Sequence, residues 1–320
     1  MLNELKFVEG AVADKDIIPI LTHFCIHDGC IQGADTRIAI ETPCPALAGF
    51  SFTVPADKFI RAVLACDGDP SITITETGKV AVKQGRFKAF LPTLDASTFP
   101  RRELPPMLSP APKNLLAVFK MLLPFISQDA SRAWSLGIWI KDGLAYATNN
   151  VALVRTSFES PLKEVNIPAY FVKEIVRIGL PPLALHQDES GIAVSYADGS
   201  WVCGQVYRDG WPDVSARFSD IDSSPLTKIP DGLARVLDKL LPFCPDPKYP
   251  TLRFTSEGIS TLDGAHSAEM GFDGLPETAF RAEVLQLVVG VATQWDLTKY
   301  PEPIPFVGKD IEGIFVGVKV

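Results

Sequence analysis

The sequence predicts an α+β fold of three similar domains, each holding two units in which a short helix leads three antiparallel strands. Three observations carry this expectation. A helix-then-strands pattern returns at a spacing of about fifty residues along the chain. Tight turns containing Gly recur at matching places inside it, and Pro- and Ser-rich joints near 100–112 and 213–225 group the units in pairs. The expected domains are 1–104, 105–220 and 221–320.

The helical halves align best. Residues 53–65 read TVPADKFIRAVLA, residues 167–179 read IPAYFVKEIVRIG and residues 280–292 read FRAEVLQLVVGVA. Phe59, Ile60, Val63 and Leu64 in the first, and Val172, Ile175 and Val176 in the second, fall at helical spacing and form one apolar face. Three further helices with a different lead-in are expected near 3–12, 113–126 and 231–241.

The strand halves repeat as well. Residues 19–43 read PILTHFCIHDGCIQGADTRIAIETP, residues 134–158 read WSLGIWIKDGLAYATNNVALVRTSF, and residues 250–272 read PTLRFTSEGISTLDGAHSAEMGF. Each first strand ends at a tight turn: His27-Asp28-Gly29, Lys141-Asp142-Gly143 or Ser256-Glu257-Gly258. The glycine supplies the positive φ that such hairpins need. A second strand then meets a small polar turn and a third follows.

Composition bounds the function. With 47% hydrophobic and 21% charged residues, the chain is globular in composition. Residues 1–7 carry charges where a secretory leader needs an apolar core, and the longest apolar stretch, 115–126, is short for a bilayer and contains Lys120. A soluble, cytoplasmic protein with no membrane partner is expected. The six cysteines lack CxxC spacing and share no pattern with the four histidines, so reduced thiols are expected and no metal or cofactor. Nucleotide-binding, nucleophile-elbow and zinc-protease motifs are missing, which argues against an enzyme. His23 and His27 share a strand face without accompanying ligands.

The net charge of −8 excludes a surface basic throughout, yet DNA binding needs only a local basic stripe. Lys58 and Arg61 lie off the apolar face of their helix. Lys173 and Arg177 are four apart, as are Arg235 and Lys239, and Lys113 and Lys120 are seven apart. Same-face spacing on successive helices suits a surface that holds phosphates without reading bases. The competing reading is the ordinary wet face of amphipathic helices, since Asp57, Glu174 and Asp238 accompany these cations.

The whole chain resembles the bacterial sliding clamp, the β subunit of the replicative DNA polymerase. The resemblance is sharpest in IPILTHFCI (18–26), FTVPADKFIRAVLA (52–65) and GRFKAFLPTLDASTFP (85–100), with ATNNVALVRTSF (147–158) and the Trp211-Pro212-Asp213 step further along. It implies the DNA-clamp fold, two chains closing a pseudo-sixfold ring around double-stranded DNA, and a clamp loader and replicative polymerase as partners. Lys15, just before IPIL, then resembles a loop position where that family has a basic DNA contact; a solvated lysine is the alternative.

Ring closure would need a head-to-tail homodimer. The segment Arg86, Phe87, Lys88 and Phe90 is the candidate edge in the first domain, with Phe243 as an apolar counterpart in the third; each also suits an intradomain core. The partner-peptide pocket implied by the family matches Thr148, Leu153, Pro212 and a tail strand, 314–320, bearing Ile314, Val316 and Val318. Here the chain departs from the family. Asn149-Asn150-Val151-Ala152 replaces an Asp-Gly-His-Arg run, and Gly317-Val318-Lys319-Val320 replaces a Met-Pro-Met-Arg-like ending. A divergent member, such as one carried by a phage or plasmid, fits this. The rival reading is a clamp-like monomer that binds replication proteins without encircling DNA.

Overall fold

The computed structural model describes residues 1–320 apart from Asp14, Lys163, Ser190, Asp209, Asp220 and Val320. Val320, the last residue of the expected tail strand, therefore lies outside the described residues. The chain forms two compact units, one of Met1–Leu116 with Tyr170–Val206, the other of Ala117–Ala169 with Tyr207–Val320. The expected middle domain contributes to both.

Helices occur at all six expected places: α1 (Leu2–Val8), α2 (Ala56–Leu64), α3 (Leu115–Leu122), α4 (Ala169–Ile178), α5 (Leu233–Leu240) and α6 (Ala282–Val291). They alternate between two designs. α2, α4 and α6 each begin at an alanine directly after a strand, Phe52–Pro55, Glu164–Pro168 and Thr278–Arg281 respectively. α1, α3 and α5 each run into a 3-10 turn, Glu9–Ala11, Leu123–Phe125 and Leu241–Phe243. Pro124 and Pro242 explain the last two, because proline lacks the N–H that would continue an α-helix. These helices are consequently shorter than the apolar patterns 3–12, 113–126 and 231–241 suggested.

The hairpins follow the same local logic. Asp28 and Gly29 both have positive φ, as do Asp142 and Gly143, so each pair makes the two-residue turn whose twist matches the flanking strands. In the third copy Thr255 and Gly258 exchange backbone hydrogen bonds around Ser256-Glu257, a turn of the same length in which the glycine follows the two turn residues instead of being one of them.

Each unit contains one eight-stranded antiparallel sheet, and the two sheets have the same plan. In the first unit the order is Phe52–Pro55, His23–His27, Cys30–Ala34, Ile38–Pro43, Trp201–Gly204, Ile192–Ser195, Ala184–Gln187, Met107–Pro110. In the second it is Glu164–Pro168, Gly137–Lys141, Leu144–Thr148, Ala152–Ser157, Glu312–Phe315, Ile304–Gly308, Ala292–Trp295, Thr227–Lys228. Both sheets are two four-stranded halves, distant in sequence, joined edge to edge. The joins are Ile38–Pro43 to Trp201–Gly204 and Ala152–Ser157 to Glu312–Phe315.

Among the described residues, two half-sheets remain unjoined. One is three-stranded, Ser71–Ile74, Val80–Gln84 and Phe87–Leu91; the other is four-stranded, Glu269–Gly271, Gly258–Thr261, Thr251–Phe254 and Thr278–Arg281. Their strand orders repeat the two halves found in the joined sheets. Edge strands with unpaired backbone groups are templates for pairing with another chain.

Packing explains why the sheets hold their helices closely. α1 lies on Cys30–Ala34 and Ile38–Pro43. A side chain at Gly33 would meet Val8 Cγ1 at 2.8 Å, so the glycine lets helix and strand approach. In the second unit, Phe280, Phe306 and Phe315 are fully buried, with the Phe315 ring 5.3 Å from Phe280 and 5.9 Å from Phe306. No helix among the described residues is long and apolar enough to cross a membrane.

Candidate functional site

The second unit carries a groove of about 340 Å³. Ala216, Pro303, Pro305 and Ile314 line it, together with the charged side chains of Arg217, Lys299 and Glu302. Strand pairing builds this wall: Ile314 sits opposite Leu153 in the join between the two half-sheets. Both side chains pack against a buried cluster of Trp139, Tyr146, Trp211, Val214, Phe218 and Ile221. Trp139 and Trp211 stack at 5.4 Å and 7°, and Trp134 meets Trp211 edge-on at 5.0 Å. Rings this tightly packed make a firm apolar backing for Ile314, one of the groove's lining residues.

Polar contacts fix the rest. Arg155 lies 4.2 Å over the Phe218 ring and donates to Glu312 Oε1 at 2.6 Å, tying the two joined strands together. Asp213 Oδ1 accepts from the Ser215 hydroxyl and, at 3.0 Å, from the Ser215 backbone N–H. These bonds, the hydroxyl's first, hold the Asp213 carboxyl below the usual carboxylate range. They also shape the turn Ser215–Arg217 that presents Ala216 and Arg217.

The residues proposed for a partner pocket divide accordingly. Leu153 and Ile314 pair across the joined strands, and of the two Ile314 lines the groove. Thr148 is buried and its hydroxyl donates to the Ala152 carbonyl, which makes it a turn-former rather than a lining residue. Pro212 is exposed beside buried Trp211. Val316 is exposed and its N–H donates to the Val151 carbonyl. Val318 N–H donates to the Ala279 carbonyl and its own carbonyl accepts from the Tyr300 hydroxyl, so the tail is anchored beside the groove-bearing sheet.

Sequence reading missed Arg217, Lys299, Glu302, Pro303 and Pro305. Arg217 comes from the turn Ser215–Arg217, remote in sequence from Ile314, whereas Pro305 lies in the strand paired directly with Ile314. The proline-rich run Tyr300-Pro301-Glu302-Pro303-Ile304-Pro305 could have signalled the residues it contains.

Lys15, Lys58, Arg61, Lys113, Lys120, Lys173, Arg235 and Lys239 are all exposed. Lys113 stands just ahead of α3 rather than in it. Asp57 partly neutralises two of them, at 2.7 Å from Arg61 and 3.6 Å from Lys58. The Arg61 hydrogen bond in turn holds the Asp57 carboxyl below its ordinary range.

Arg177 is different. Its guanidinium donates to Glu174 at 2.6 Å and to the carbonyls of Lys6 and Phe7 at 2.9 and 2.7 Å. Those carbonyls belong to the last turn of α1, where helix acceptors lack internal partners. Arg177→Ala is expected to cost about 1–2 kcal/mol of stability by urea denaturation, as charged hydrogen bonds to a helix end are lost. A loss below about 0.5 kcal/mol would contradict this capping role.

The candidate interface residues also separate. Phe87 and Lys88 lie on the free edge strand with Phe90, whereas Arg86 sits in the two-residue turn before it. Phe90 is 53% exposed, a large apolar side chain on an open edge. Phe243 is exposed in the 3-10 turn after α5. In that part of the chain Glu269–Gly271 is an edge strand, the equivalent of the strands that make the two joins, and the sequence pattern did not single it out.

Neither a protein-family sequence model nor a curated protein sequence matches the chain. Its architecture matches solved structures along its length. One is a DNA polymerase sliding clamp from Caulobacter crescentus, at a TM-score of 0.84 and 18% identity, covering 100% of this chain and 97% of that one. Another is the sliding clamp of Bacillus subtilis, at 0.83 and 16%, with the same 100% and 97% coverage. A third is the Helicobacter pylori beta clamp bound to a DNA ligase peptide, at 0.76 and 15%, covering 99% and 97%. The fold is therefore that of the DNA sliding clamps. More particularly, it is the fold of bacterial DNA polymerase III β subunits, at 17% identity to two of them.

Proposed function

We propose that the chain is a divergent, non-enzymatic DNA sliding clamp of the bacterial type. Two copies close head to tail around duplex DNA, and the groove beside Ile314 takes a short peptide from a replicative polymerase, a clamp loader or another replication protein. Its domains would be 1–104, 105–220 and 221–320, and its place of action the cytoplasm. The observation that supports this most is the repeated half-sheet plan. Two pairs of halves are joined within the chain and one pair is left with open edges, as a ring of two chains needs.

The groove suits a linear peptide. Its apolar floor accepts aliphatic or aromatic side chains, and Arg217 and Lys299 favour an acidic neighbour. The H. pylori clamp holds a DNA ligase peptide, which supports the same use of this fold here. For DNA, the exposed cations on the helices supply phosphate contacts without base reading.

Replacing Lys113, Lys120, Lys173 and Lys239 by Ala removes a pair of each from a two-chain ring, and is expected to weaken DNA association and make its dependence on log salt shallower by up to about 7 units. Arg177 is excluded because it caps α1. An unchanged salt slope, measured by filter binding from 50 to 200 mM salt, would refute the assignment of these four residues to DNA.

A further inference from the structure

We infer that strand Phe87–Leu91 of one chain pairs antiparallel with strand Glu269–Gly271 of a second copy, in the register that sets Lys88 directly opposite Glu269. This rests on the ring reading and goes further, because it fixes which residues meet.

The two joins already present in the chain act as templates. In the half-sheets that contribute a third strand, the second strand opens at Cys30, Leu144 or Gly258, which pair with Pro43, Ser157 and Gly271. Two positions along, Gln32, Tyr146 and Ser260 pair with Glu41, Arg155 and Glu269. Those three residues are therefore equivalent. The opposite halves give the second anchor. Val80, Ile192 and Ile304 open equivalent strands and pair with Leu91, Gly204 and Phe315. The fourth residues, Lys83, Ser195 and Val307, pair with Lys88, Trp201 and Glu312.

At both joins the equivalent residues face each other: Glu41 opposite Trp201, and Arg155 opposite Glu312. Both pairs also touch through their side chains. Trp201 Nε1 donates to Glu41 Oε1 at 3.2 Å, and Arg155 Nε donates to Glu312 Oε1 at 2.6 Å. Carried over to the open edges, this position holds Lys88 and Glu269, of opposite charge and both exposed. Neither makes an ion pair within the described residues. The same register sets Ala89 opposite Ala268 and Phe87 opposite Met270, a small pair and a thioether–aromatic pair that fit a close edge.

Charge reversal tests it. A Lys88→Glu chain alone would put like charges opposite each other at both closures, and so would a Glu269→Lys chain. Each is expected to dimerise at least about tenfold more weakly than the natural chain by sedimentation equilibrium. Mixed in equal amounts, the two variants restore a complementary pair at both closures, and dimerisation is expected to return to within about threefold of the natural value. A natural chain that dimerises while the mixture is no tighter than its separate components overturns the register and leaves the ring reading standing. Single variants as tight as the natural chain do the same. A natural chain that stays monomeric overturns both. Independently, Ala89→Cys with Ala268→Cys is expected to give a covalent dimer on mild oxidation, because directly opposed small residues fall within disulfide reach. Cross-linking that prefers Ala89→Cys with Glu269→Cys would overturn the register.

Discussion

Replacing Phe315 with alanine is expected to destabilise the second unit by about 3–5 kcal/mol, the largest stability loss anticipated for a single side chain. Phe315 is 1% exposed and lies in the strand that joins two half-sheets. Its ring meets Phe280 at 5.3 Å, Phe306 at 5.9 Å and Trp295 at 6.4 Å. Sheet strands on both sides and these large rings hold the site open, so its walls cannot collapse to fill the space left by truncation. The substitution therefore removes apolar burial and leaves a cavity at the join. Trp295 stacks beside the lost ring, so urea unfolding followed by tryptophan fluorescence reports on the right region. A loss below about 1 kcal/mol would mean that the join does not depend on this core.

Ile314→Asp is expected to weaken binding of a replication-protein peptide at least about a hundredfold, with dimer mass unchanged. Ile314 is the neighbour of Phe315 but faces the groove, half-buried between the Leu153 side and the Pro303 and Pro305 walls. A carboxylate there would be desolvated by any apolar peptide side chain that seats on it, with no fixed partner to compensate. Lys299→Ala, by contrast, removes only an exposed charge and is expected to cost less than about tenfold. Polymerase stimulation on primed circular DNA is the functional counterpart. Normal stimulation by the Ile314→Asp chain would place the partner site elsewhere.

Much of the fold was legible because its signals are local. Asp28-Gly29 and Asp142-Gly143 specify their hairpins through backbone conformations that few other residue pairs tolerate. The apolar faces of α2 and α4 are written at helical spacing, with Phe59, Ile60 and Ile175 buried as the pattern requires. The site was legible only in part, because its walls are assembled from distant segments. Ile314 was named through family resemblance, but Arg217 and Lys299 reach the groove from 3-10 turns, and Pro305 from the strand beside Ile314, at places that depend on the completed sheet. Arg177 illustrates the opposite difficulty. Its spacing from Lys173 reads as a basic face, yet its donors serve the end of a helix far away in sequence. The edge strand Glu269–Gly271 was hidden for a third reason: only the strand order identifies it as the unjoined equivalent of Ile38–Pro43 and Ala152–Ser157.

Two copies of this chain are expected to form a closed ring. Negative-stain particle images of the purified chain at micromolar concentration, alone and on nicked circular DNA, test it most directly. Closed rings of six similar lobes around an open centre are expected, threaded by DNA where DNA is present. Isolated half-ring arcs at that concentration, with no closed particles on DNA, would contradict it.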